Sequence, residues 1–134
     1  MNEEENSRLV KDAYAAFQRG DIPAVLKEMS DDIAWFLPGP ADIVPLSGQR
    51  HGLAAVKGFF TELAETQEAE EFEPSEIIAQ GDTVVALGHY RWRIKATGQR
   101  FESDFAHVFT IKNGKVVKFR EYFDTYAGVQ AYRS

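Results

Sequence analysis

The chain has no cysteine, which excludes disulfides, thiolate metal sites and a cysteine nucleophile. No apolar run approaches the ~20 residues needed to cross a bilayer, so no membrane span is expected. Basic residues are too few and too scattered to form a patch. With 15 Lys and Arg against 21 Asp and Glu, the formal net charge is -6, and neither nucleic acid nor an anionic membrane would be attracted. Residues 1–8 are polar and acidic, unlike a secretory leader, and the expected location is cytoplasmic. The three histidines, His51, His89 and His107, fall on different elements or faces, with no HExxH or paired-carboxylate spacing. No metal site is expected. Gly-rich phosphate loops, nucleophile elbows, internal repeats and low-complexity segments are also missing.

What is abundant is aromatic. Ten Phe and five Tyr raise the aromatic share to 13%, which suits either a core built from rings or an aromatic-lined pocket for a hydrophobic small molecule. At 134 residues the chain is read as one domain, residues 1–134, large enough for a real core.

Leu9, Val10, Ala13, Tyr14 and Phe17 recur at helical spacing, so an amphipathic helix is expected over about 7–19, ended by Gly20. Asp21 is placed to cap a second, short helix with Pro23 in its first turn and Val25, Leu26 and Met29 facing inward. The string Ile33-Ala34-Trp35-Phe36-Leu37 reads as a strand bounded by Asp31-Asp32 and Pro38-Gly39-Pro40. An irregular loop follows to Gly52, with a brief extended stretch near Gln49 to His51, and His51 lies at the expected pocket mouth. Leu53 to about Gln67 returns to helical spacing. An acidic bend at Glu68 to Glu71 then opens a run of strands: Glu76 to Gln80, Thr83 to Lys95 and Phe101 to Ile111, closing with one that ends near Phe123. Thr125 is placed to cap a terminal helix through Val129. Helices followed by antiparallel strands mean an α+β fold, with a curved sheet whose concave face is covered by N-terminal helices.

The last hairpin decides the chemistry. Phe101, Ser103, Phe105, His107, Phe109 and Ile111 share one face under the strand period of two. A two-residue Asn113-Gly114 turn would put Lys118 and Arg120 on that apolar face; a three-residue Lys112-Asn113-Gly114 loop pairs Ile111 with Lys115 and puts Val117, Phe119, Glu121 and Phe123 there instead. The second register is the expectation. It sets Glu121 opposite Phe105 and diagonal to His107, in reach of a side-chain contact or a bridging water. A two-residue Thr97-Gly98 turn would likewise pair Trp92 with Ser103, Tyr90 with Phe105 and Gly88 with His107, leaving open space before the imidazole. On the reverse face Arg93 would then oppose Glu102 and Arg91 oppose Asp104, with His89, Val85, Leu87 and Val108 among them. A homodimer through this outer face is expected.

The order of these elements resembles the NTF2-like superfamily, and within it the SnoaL-like, ketosteroid-isomerase-related proteins. The resemblance rests on Tyr14-Ala15-Ala16-Phe17 with Gly20-Asp21, on Ser30-Asp31-Asp32 and Trp35 with Pro38-Gly39, and on Gln80-Gly81-Asp82. It rests further on His107-Val108-Phe109 and Arg120-Glu121-Tyr122-Phe123-Asp124. It implies a cone-shaped pocket between helices and sheet, frequent homodimers and no obligatory cofactor. Where ketosteroid isomerases carry a catalytic Asp this chain has Leu37; their oxyanion-hole Tyr falls at Ala13 and their oxyanion-hole acid at about His107. The catalytic Asp of limonene epoxide hydrolases matches Glu121, while their Arg and Asp partners correspond to Gly88 and Tyr90.

Glu121 and His107 are therefore the candidate catalytic pair, since a carboxylate and an imidazole on an apolar face suit proton transfer near neutral pH. Tyr14, Trp35, Tyr90, Trp92, Ser103, Phe105, Phe119 and Phe123 are the candidate ligand contacts. The expected function is cofactor-free acid-base chemistry, such as isomerisation, cyclisation, dehydration or hydrolysis, on a hydrophobic substrate. The alternative is a ligand-binding or dimeric assembly module that uses the same pocket without chemistry.

Overall fold

The computed structural model describes residues 2–133. Three helices and two strands come first: α1 (Glu3–Gln18), α2 (Ile22–Lys27), β1 (Met29–Leu37), β2 (Gly48–His51) and α3 (Leu53–Thr66). Four long strands and a last helix follow: β3 (Gln67–Gln80), β4 (Thr83–Ile94), β5 (Arg100–Lys112), β6 (Lys115–Phe123) and α4 (Thr125–Tyr132). The strands form one curved, unclosed sheet in the order β2-β1-β6-β5-β4-β3, antiparallel except where β1 runs parallel to β6. This is the expected α+β fold.

Local chemistry explains the helix ends. Helix α1 begins four residues earlier than its apolar periodicity indicates, because the Asn2 side chain accepts the Glu5 amide while the Glu5 carboxylate accepts the Asn2 amide. Its first turn is tied down by Glu3, whose carboxylate accepts from the Gly81 amide in the β3–β4 turn. Asp21 caps α2 through Ala24, as its position in the sequence suggests. At α4 the cap is Asp124, not Thr125, and the helix runs to Tyr132 rather than Val129. Strand β1 starts at Met29, so Asp31 and Asp32 lie inside it with exposed side chains and do not bound it.

Three registers differ from expectation. The Asn113-Gly114 turn has two residues, both with positive φ (52° and 75°), and it pairs Lys112 with Lys115 and Ile111 with Val116. A bulge at once skips Val117, so Lys118 falls opposite Thr110, Phe119 opposite Phe109 and Glu121 directly opposite His107. The apolar face contains Phe119, Glu121 and Phe123 as expected, by a different route, and Val116 takes the inward place expected of Val117. The bulge has a partner: the Val116 amide donates to the Glu28 carbonyl at the end of α2.

Between β4 and β5 the connection is Lys95 to Gln99, not a two-residue turn, with Gly98 donating to the Ile94 carbonyl and Ile94 to the Gln99 carbonyl. The pairing slides by two residues, to Trp92 with Phe101, Tyr90 with Ser103, Gly88 with Phe105 and Ala86 with His107. An even slip preserves faces, so the apolar side survives the error. Gly88 therefore faces no open space: the Phe105 ring and the Glu73 carbonyl fill the place a Cβ would take.

The third difference is β3, where a 14-residue edge strand with two bulges replaces the acidic bend. Its carboxylates are held by the next strands, Glu70 by Arg100 at 2.8 Å and Arg91 at 3.2 Å, Glu71 by Arg91 and Glu68 by Arg93. On this outer face Arg91 opposes Glu102, Arg93 opposes Arg100 and His89 opposes Asp104, which corrects the expected pairs. The Asp104 carboxylate first, and then Glu102, hold the His89 imidazole above its ordinary pKa.

The inner face carries two packed clusters. One joins Leu9, Val10 and Tyr14 to Ile33, Val56 and Ile111, while the other gathers Tyr90, Trp92, Ile94, Phe101 and Phe105 beneath α4. Because Gly88 has no room for a methyl group, Gly88→Ala should destabilise the fold by about 1–3 kcal/mol through overpacking. Chemical denaturation of the two proteins tests this.

Candidate active site

His107 projects from the middle of β5 into the space between sheet and helices, where it is 4% exposed. Both ring nitrogens are engaged. Nδ1 lies 2.7 Å from the Tyr14 hydroxyl on α1, and Nε2 lies 2.7 Å from Glu121 Oε1 on β6. With Glu121 as the carboxylate, Nε2–H donates to it and Nδ1 accepts from the Tyr14 O–H, so one tautomer satisfies the whole chain. The ring is held flat by aromatics: Phe105 stacks on it at 4.3 Å and Phe119 meets it edge-on at 4.9 Å between centroids.

The pair is joined by two tyrosines. Burial is the main cause, and the Glu121 charge the second, of a Tyr14 hydroxyl pKa pushed far above its ordinary range. The same two causes act on Tyr90, which lies close to the same carboxylate. Both hydroxyls therefore remain donors at any physiological pH. Glu121 Oε1 is taken by His107, which leaves the second oxygen for Tyr90 or a ligand.

Around this group is a cavity of about 110 Å³ with almost entirely apolar walls. His107, Glu121, Tyr14, Trp35, Tyr90, Trp92, Phe119 and Phe123 all line it. Ser103 and Phe105 do not. The Ser103 hydroxyl donates to the Asp104 carbonyl and accepts from the Asp124 amide, so it fastens the entry to α4. Phe105 lies behind the imidazole, packed over Gly88 and against Tyr90. His51 is exposed on β2 and away from the cavity, and His89 lies on the outer face. Among the described residues no group of three His, Asp or Glu side chains is arranged to hold a metal ion.

Several wall residues escape a reading of the sequence. Phe72 stacks on Phe105 and touches Tyr14, but it is surrounded in sequence by glutamates and preceded by a bulge that breaks the alternation. Val44 and Leu46 are buried from a Pro- and Gly-rich loop that carries no periodicity. Gln67 and Tyr132 meet at the α4 end, from elements 65 residues apart. Only the Val-x-Leu spacing within that loop, and the isolated Phe72, could have served as signals.

The tyrosine shifts have a consequence for stability. A group whose folded pKa lies above the ordinary 10.0 contributes stability that is fully present below about pH 10 and is lost as pH rises beyond it. The protein should therefore weaken steeply above pH 10, with a shallower fall in Tyr14→Phe, as read from denaturant midpoints between pH 8 and 11.

The profile of the SnoaL-like domain matches residues 10–119. No curated protein matches the chain significantly. Among solved structures, an NTF2-like protein from Burkholderia xenovorans is 37% identical over 98% of both chains, with a TM-score of 0.89. TerC, co-crystallised with polyporic acid, is 28% identical over 97% of this chain and 99% of its own, with a TM-score of 0.80. A candidate SnoaL-like polyketide cyclase from Mesorhizobium loti is 26% identical over 91% and 99%, with a TM-score of 0.73. Sequence profile and fold agree, and the chain belongs to the SnoaL-like domain family of the NTF2-like superfamily.

Proposed function

We propose that the protein is a small-molecule enzyme that moves a proton on a hydrophobic substrate, with Glu121 as the base. The observation that carries this reading is the 2.7 Å contact between His107 Nε2 and Glu121 Oε1 at the wall of an apolar cavity. A carboxylate in such surroundings is poorly hydrated, and His107 holds one of its oxygens in place while leaving the other to react.

The chemistry follows from the donors present. A substrate C–H bond next to a carbonyl breaks, its proton passes to the second Glu121 oxygen, and the electron pair moves onto the carbonyl oxygen as an enolate. The Tyr90 O–H is available to stabilise that charge. Tyr14 acts through His107 by fixing its tautomer. Return of the proton to another atom gives isomerisation, and attack of the enolate on a second carbonyl gives cyclisation. The neighbour TerC, co-crystallised with polyporic acid, and the candidate polyketide cyclase support an organic substrate of this kind. A homodimer through the outer sheet face belongs to the same reading, supported by the exposed Ile78 and Tyr122 among its ion pairs.

The test is hydrogen exchange of 2-tetralone in D2O, followed by proton NMR. Wild type should accelerate exchange, Glu121→Gln should lose at least 100-fold of that acceleration, and Tyr14→Phe should lose about tenfold. Binding of 2-tetralone with no accelerated exchange would overturn the catalytic role and leave a binding module.

A further inference from the structure

Two hydrogen-bonded groups of polar side chains line the cavity, and only one is used above. The central set, Tyr14, His107 and Glu121, is bonded internally. The second lies at the end covered by α4. There Gln67, 8% exposed at the first position of β3, donates from Nε2 to the Tyr132 hydroxyl at 2.7 Å. Both residues line the cavity. Among the described residues, no further hydrogen bond is made by the Gln67 carbonyl oxygen or by the Tyr132 O–H. The Gln67 carbonyl oxygen, its second Nε2–H and the Tyr132 O–H are thus left to a ligand at an apolar wall.

The spacing of the two sets follows from the sheet. Gln67 pairs with Ile94 and His107 pairs with Ala86, both on β4. Eight residues of β4 separate those positions, so the two polar groups stand at different ends of the cavity. Between them lie the rings of Tyr90 and Trp92, which with Phe72 and Phe101 form an aromatic channel.

We propose that Gln67 and Tyr132 form a second binding subsite, which receives a neutral hydroxyl or carbonyl at the far end of an elongated, ring-containing substrate. Among the described residues no Lys or Arg side chain lines the cavity, so a neutral group with both donor and acceptor capacity matches the amide and phenol better than a carboxylate does. The inference rests on the proposed use of the cavity and specifies its substrate class: flat, apolar through the middle and polar at both ends. Because Tyr132 belongs to α4, the terminal helix contributes to recognition as well as to the core.

The experiment compares 4-hydroxystilbene with 4,4'-dihydroxystilbene, with binding followed by quenching of Trp35 and Trp92, both of which line the cavity. The dihydroxy probe should bind about fivefold more tightly to wild type, in keeping with one added hydrogen bond. Gln67→Met and Tyr132→Phe, which keep most of the side-chain volume, should each remove that difference while leaving 4-hydroxystilbene affinity within twofold. Equal affinities in wild type, or a difference that survives both variants, would overturn the subsite. The difference should persist in Glu121→Gln whatever that variant does to proton exchange, so failure of the catalytic reading and failure of the subsite give separate results.

Discussion

The contact between His107 and Glu121 depends on a single skipped residue. Asn113 and Gly114 take the left-handed conformations of a tight two-residue turn, and that turn alone would drive Lys118 and Arg120 onto the inner face. The bulge at Val117 shifts the pleat by one and returns Phe119, Glu121 and Phe123 to the inside. It is stabilised where it occurs, since Val116 bonds back to Glu28 as β1 begins. The turn, the bulge and the α2–β1 junction are therefore one device. Its outcome is a carboxylate directly opposite an imidazole instead of diagonal to it.

A buried polar group without a partner costs about 1–3 kcal/mol, which constrains the surroundings of this pair. Tyr14 satisfies the far side of His107 and Glu121 satisfies the near side, so α1, β5 and β6 are bound together through one imidazole. Aromatic rings supply the rest of the enclosure. Phe105, Phe119 and Phe72 exclude water from the pair while leaving one side to the cavity. The residues that rigidify the fold here are also the ones that dry the site and strengthen its electrostatics.

The two faces of the sheet divide the physical work. The concave face holds rings and the buried chain of polar groups, whereas the convex face is laced with exposed Arg and Glu pairs that contribute little stability individually. Those pairs manage the long edge strand. Glu68, Glu70 and Glu71 on β3, each paired with an arginine of a neighbouring strand, put charge along one end of an otherwise open 14-residue edge.

Alternation and helical spacing were sufficient to determine from sequence the presence of the helices, the order of the elements, the inward faces of β4 and β5 and the place of His107 on one of them. Those properties follow from periods of 2 and 3.6 residues, which are local. The tertiary structure decided what depends on distant partners. The length of the Lys95 to Gln99 connection and the bulge at Val117 set which residues stand opposite one another, and Phe72, Val44 and Leu46 entered the cavity from segments without any period. The meeting of Tyr14 with His107, 93 residues apart, and of Gln67 with Tyr132 required the helices to be packed on the sheet, because no local pattern records which side chains a fold will bring together.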